Sequence, residues 1–140
     1  MGESLKYHMR LRVYRTGRSF GPGVSSLMKL VEERGSLSAA CKEMGMAYSK
    51  AWRIIKAAED DLGFPLMEGQ SGGESGGRTI LTERGKAFLD RYLKFEDGVR
   101  QQAEILFLQY FGEDLQEKAG GQEETERQVK ADGERHLNER

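Results

Sequence analysis

A chain of 140 residues, 37% hydrophobic and 32% charged, has material for one modest core and not two. Its single cysteine excludes an intrachain disulfide framework, and no apolar run approaches the roughly 20 residues that a membrane span needs. The formal net charge of −1 conceals a division: residues 1–112 carry 17 Lys and Arg against 14 Asp and Glu, residues 113–140 carry 5 against 9. A mildly basic body precedes an acidic tail, so charge has to be judged by segment. With no secretory pattern after Met1, these features predict a cytoplasmic protein.

Near the N-terminus, HMRLRVYR (8–15) alternates Met9, Leu11 and Val13 with Arg10, Arg12 and Tyr14, the period of a strand with one buried face. Thr16-Gly17 reads as a turn, with a short returning strand at RSF (18–20). GPG (21–23) then puts Pro22 where a helix can start. Val24, Leu27, Met28 and Val31 fall at i, i+3, i+4 and i+7 and predict a helix as far as Arg34, stopped by Gly35. Ser36 suits the N-cap of a second helix over 37–44, and Gly45 ends it. A third helix, about 48–61, places Ala51, Ile55, Ala58 and Leu62 on one face, and Gly63 closes it. PLME (65–68) and TILT (79–82) are short strands around a Gly-rich loop, 69–77.

Thr82 caps a last helix that continues to about residue 111. Its stripe of Phe88, Tyr92, Phe95, Val99, Ala103, Leu106 and Tyr110 is spaced by fours and threes, as a helix–helix seam requires. Such a helix is roughly 43 Å long, more than so small a body can cover, with Gly98 as its weak point. No other element of the sequence is left to cover Phe95, Val99, Ala103, Leu106 and Tyr110, so a homodimer is expected to bury them. Beyond Gly112 the chain is polar and reads as disordered.

The order strand, helix, helix, tight turn, helix, strand, Gly-rich loop, strand, helix defines a mainly α fold with a small β part, a winged helix-turn-helix. The winged domain with its N-terminal strand occupies 1–82, the dimerisation helix 83–112 and the acidic tail 113–140. Helix 48–61 is then the recognition helix. Its first turn offers Tyr48, Ser49, Lys50 and Arg53 to base edges and phosphates, while Ala51 and Ile55 face inward. Ser36 and Ser38 at the start of the second helix, and Arg78 at the base of the wing, complete the candidate contacts with double-stranded DNA.

GPGVSSLMKLVEERGSLSAACKEMGMAYSKAWRIIKAAEDDLGFPLME, a Gly-rich loop and LTERGKAFL together resemble the N-terminal DNA-binding domain of ModE-type molybdate-responsive regulators. The GS-L-S-AA, LG-x-PL and LT-x-x-G portions are similar, more distantly, to LysR-type regulators. The resemblance covers about residues 8–95 and implies a dimeric, operator-binding transcription factor. This chain has Ala47 where the family often has Ser, and Ser49 where it has a cation. The family's molybdate-binding domains lie C-terminal to this module, where this sequence has a short acidic tail, so molybdate binding is not expected.

Plainer roles stand beside these. Trp52 reads as core or core edge, and Tyr48 as packing on the turn or touching DNA. Arg10, Arg12 and Arg15 form a basic strand face, open to DNA or protecting an edge. EDD (59–61) near a helix end reads as solvated, and the SGGESGG loop fits no phosphate-cradling motif. His8 and His136 stand apart from other ligand types, so neither metal nor cofactor is expected. No nucleophile–base arrangement suggests an enzyme. The rival to DNA binding is a winged-helix module for protein interaction or scaffolding, a use that the near-neutral net charge and acidic tail would suit.

Overall fold

The computed structural model describes residues 3–70 and 77–116. In chain order the elements are α1 (Pro22–Arg34), α2 (Leu37–Met44), α3 (Tyr48–Leu62), β1 (Met67–Gln70), β2 (Arg78–Leu81) and α4 (Glu83–Gln116). The helix boundaries have local causes. Pro22 sits in the first turn of α1, where its missing N–H costs nothing. The Ser36 hydroxyl accepts the Ala39 N–H at 2.9 Å and caps α2. Gly35, Gly45 and Gly63 follow the first three helices with φ of 79°, 65° and 91°, a left-handed turn that glycine adopts without strain.

The three helices enclose one core. Leu27, Met28 and Val31 of α1, Leu37 and Ala40 of α2, and Ala51, Ile55 and Ala58 of α3 are buried together with Leu66 and Leu89. Phe20, read in the sequence only as part of a returning strand, is fully buried among them, its ring 4.8 Å from Phe88 and 5.0 Å from Tyr92. Each large side chain so covered contributes about 1.5–3 kcal/mol.

The wing is an antiparallel pair with Met67 opposite Leu81 and Gln70 opposite Arg78; residues 71–76 of its loop lie outside the described residues. It is fastened to the helices at two places. At α2, the Thr79 N–H donates to Gly35 O at 3.0 Å and the Leu37 N–H donates to Thr79 Oγ1 at 3.2 Å. At α4, the Thr82 hydroxyl donates to Pro65 O at 2.7 Å and accepts the Gly85 N–H at 2.8 Å, which caps the long helix. Gly85 packs so closely that a Cβ there would overlap the Leu66 carbonyl.

Four expectations need correction. The alternating segment 8–15 does not build a strand: among the described residues it contributes one bridge, in which Val13 and Phe20 exchange both backbone hydrogen bonds at 2.9 Å. Leu11 and Val13 still pack on the core, so the alternation reports burial without a ladder.

The EDD cluster is not simply solvated. Glu59, with a side chain only 10% exposed, accepts the Leu66 N–H at 2.7 Å and the Met67 N–H at 3.4 Å. Asp61 accepts the Arg15 and Thr16 N–H groups at 2.6 and 2.9 Å and the Thr16 hydroxyl. Both carboxylates take up backbone donors that no strand partner satisfies.

The long helix runs through Gly98 and Gly112 to Gln116, 34 residues and about 51 Å, so the 83–112 boundary falls short. The rest of the acidic tail, 117–140, lies outside the described residues.

Finally, part of α4 has a cover within the chain. The Tyr7 ring rests on Phe107 at 4.8 Å and its hydroxyl donates to Glu104 Oε2 at 3.1 Å, while the Tyr92 hydroxyl donates to Leu11 O at 3.0 Å. Burial and the Glu104 charge push the Tyr7 phenol up to about 12. Val99 and Ala103 are half-buried, but Phe95, Leu106 and Tyr110 are 53%, 49% and 72% exposed.

Candidate nucleic-acid interface

The two faces of α3 divide as its sequence does. Ala51, Ile55, Ala58 and Leu62 are buried, and Tyr48, Ser49, Lys50 and Arg53 are exposed. Ala47 precedes the helix and provides no side-chain cap, so the donors of the first turn are left to solvent or ligand. The positive end of the helix dipole lies at the same place. Trp52 is half-buried and packs against the core, the core-edge role. Tyr48 stands outside it, half exposed, meeting the indole edge-on at 6.4 Å.

A second group forms where β2 meets the start of α2. Ser38 and Arg78 are exposed, Ser36 is half-buried, and the Arg78 guanidinium lies against Gly35, next to Ser36. The Thr79 hydrogen bonds that tie β2 to Gly35 and Leu37 produce this juxtaposition. Ser36 spends its hydroxyl oxygen on the Ala39 cap and keeps its O–H as a donor. Since α2 packs on α3, the two groups belong to one rigid unit. An Arg34–Glu43 fork at 2.8 and 3.0 Å braces α1 against α2. It is exposed, so solvent and salt screen it and it adds little stability.

A third group was only partly visible in the sequence. Arg10, Arg12 and Arg18 line a cleft at the start of α1 together with Lys50 of α3. The alternation at 8–15 pointed to Arg10 and Arg12, but nothing local pointed to Arg18, which the turn after Arg15 brings across. Arg15 goes elsewhere: its Nε donates to Leu62 O at 3.3 Å, which ties it to the end of α3. The stripe residues Phe95, Leu106 and Tyr110 lie on α4.

The fold and this face define a class: residues 26–86 match the model of the bacterial regulatory helix-turn-helix protein, lysR family, and the chain carries a helix-turn-helix domain of that type. Among proteins that carry such a domain, the chain is similar to ModE and Mop regulators. The chain is 34% identical over 85 residues to the molybdenum-pterin-binding protein MopB of Rhodobacter capsulatus, covering 61% of this chain and 32% of MopB. To the transcriptional regulator ModE of Haemophilus influenzae it is 33% identical over 66 residues, 47% of this chain and 26% of that protein. To the DNA-binding transcriptional dual regulator ModE of Escherichia coli K12 it is 33% identical over 67 residues, 48% and 26%. The chain thus spans a third or less of the length of these relatives. No helix among the described residues is long and apolar enough to cross a membrane.

Proposed function

We propose that this protein is a sequence-specific DNA-binding transcriptional regulator that acts as a homodimer. The observation that carries the reading is the exposed first turn of α3, with Tyr48, Ser49, Lys50 and Arg53 on a helix-turn-helix of LysR type. In the bound state α3 enters the major groove, where Arg53 and Lys50 meet base edges or phosphates. Ser36, Ser38 and Arg78 hold the flanking backbone, and the Gly-rich wing lies near it. The second protomer joins through Phe95, Val99, Ala103, Leu106 and Tyr110 and brings a second α3 to the next turn of the duplex, about 34 Å away. The molybdenum-pterin binding named for MopB is a property of that protein and forms no part of this reading.

A binding titration against duplex DNA at two salt concentrations tests the proposal. Neutralised phosphates release counterions, so affinity should fall steeply with salt, and a selected operator should outcompete random duplex. Absence of binding at low salt would leave the second reading, a winged-helix module that engages another protein. The exposed apolar residues of α4 are the observation behind that alternative, since a different protein can cover them as well as a second copy can.

A further inference from the structure

We infer that the cleft between the N-terminal segment, the start of α1 and Lys50 is a docking site for one backbone phosphate of the bound duplex, a contact that joins Lys50 of the recognition turn to arginines outside that turn and the wing. The inference rests on the DNA-binding reading above and adds a site to it. The cleft has a volume of about 230 Å³, room for a phosphodiester group and several waters at about 30 Å³ each. Among the described residues, Arg10, Arg12, Arg18 and Lys50, cations from separate parts of the chain, line it and no carboxylate does.

The backbone shares this polarity. Gly21 precedes α1 without a side-chain cap, and Pro22, Gly23 and Val24 of the first turn form one wall. The positive end of a 13-residue helix therefore opens into a cationic cleft. Gly21 also admits the Arg12 side chain, whose Cγ lies 3.2 Å from where a Cβ would stand. Arg10 adds to this: among the described residues its buried Nε has no hydrogen-bond partner. A buried charged donor left unmatched costs free energy, and an anion in the cleft is the partner that the surroundings supply.

A larger cleft of about 360 Å³ also holds three arginines, but two of them are already engaged. Arg15 donates to Leu62 O and Arg84 stacks 4.3 Å from the Phe64 ring centroid. The cleft at α1 instead contains Lys50, the immediate neighbour of Ser49 on the exposed side of α3, so a strand lying along the recognition helix passes its mouth. That position favours a phosphodiester over a free oxyanion.

Arg12→Gln and Arg18→Gln, both at exposed positions, provide the test, with Arg53→Ala as comparison. Fluorescence anisotropy over a salt series should show each Gln variant weakened on operator and random duplex alike, the slope of log affinity against log salt reduced by about 1, and melting temperature unchanged. Arg53→Ala should instead change the ratio of operator to random affinity. Gln variants that keep the parent slope and affinity while Arg53→Ala loses the operator would overturn the phosphate site and leave the DNA-binding reading standing. If the parent protein binds no duplex, both fall. Thermal-shift titrations with inorganic phosphate and with molybdate cover the other source: saturable stabilisation abolished by Arg12→Gln, with DNA binding unaffected, would assign the cleft to a free anion and overturn the proposal.

Discussion

Arg53 and Lys50 illustrate how much a side chain's surroundings decide. Both are exposed on α3 and neither supports the core, so replacing either with Ala should change stability by less than about 0.5 kcal/mol. If one of them reads a guanine through two hydrogen bonds, its loss should remove about 1–3 kcal/mol of discrimination against other bases. Competition titrations with operators altered one base at a time measure this; unchanged affinity in both variants would falsify their role as contacts. Residue types in the recognition turn were informative in the sequence because outward polar and inward small residues alternate there at helical spacing. Glu59 and Asp61 were not, because a carboxylate that binds backbone N–H groups looks in sequence like one facing water. Asp61 shows the difference. The Thr16 hydroxyl, then the Arg15 N–H, hold its carboxyl below the usual aspartate value, so its contribution to stability is present above that value and lost as pH falls. Asp61→Ala should therefore lower the melting temperature at pH 7, and the gap to the parent should close as pH drops below about 3.9.

Helices α1, α2 and α3 were legible almost to the residue, since each carries an apolar stripe and ends on a glycine that must turn left-handed. The strand at 8–15 failed for a physical reason: alternation reports which side chains are covered, and here a helical body covers them without a second strand to pair with. In the LT-x-x-G stretch the Thr82 cap was legible from residue type and Gly85 only through the resemblance, and the geometry now explains both. Thr82 caps α4 and holds Pro65, while Gly85 leaves space for the Leu66 backbone. Gly85→Ala should therefore cost about 1–3 kcal/mol or more, because the obstructing atoms are backbone and cannot swing aside. Chemical denaturation measures it. Gly98→Ala, with open space around it in the long helix, should instead stabilise by about 0.5–1 kcal/mol.

At the level of assembly, the long helix poses the remaining question. The N-terminal segment covers Tyr92 and Phe107, and what stays in water is Phe95, Leu106 and Tyr110 of the stripe, with Ile105 and Phe111 beside them. A two-fold partner that buried this row would gain about 25 cal/mol per Å² of apolar surface. Leu106→Glu should shift the protein toward monomer and weaken operator binding together. Light scattering at micromolar concentration checks the first effect, and a parent protein already monomeric there would remove the dimer and favour a different partner. The row was visible in the sequence, but its width was not, because the segment lying beside it has no helical or strand period to announce the contact.

That segment also joins places far apart. Tyr7 grips Phe107, about 22 Å along α4 from Tyr92, and a few residues later Arg10 and Arg12 enter the cleft beside Lys50. Held at Tyr7 and fastened at Leu11, the segment bridges the distal half of the helix and the recognition end. If dimerisation through α4 shifts this segment and so favours phosphate binding at the arginines, phosphate binding must favour dimerisation by the same factor. Cutting the tether with Tyr7→Ala should quicken amide exchange across residues 8–12 and blunt the effect of Leu106→Glu on DNA affinity, while the buried helices keep their protection.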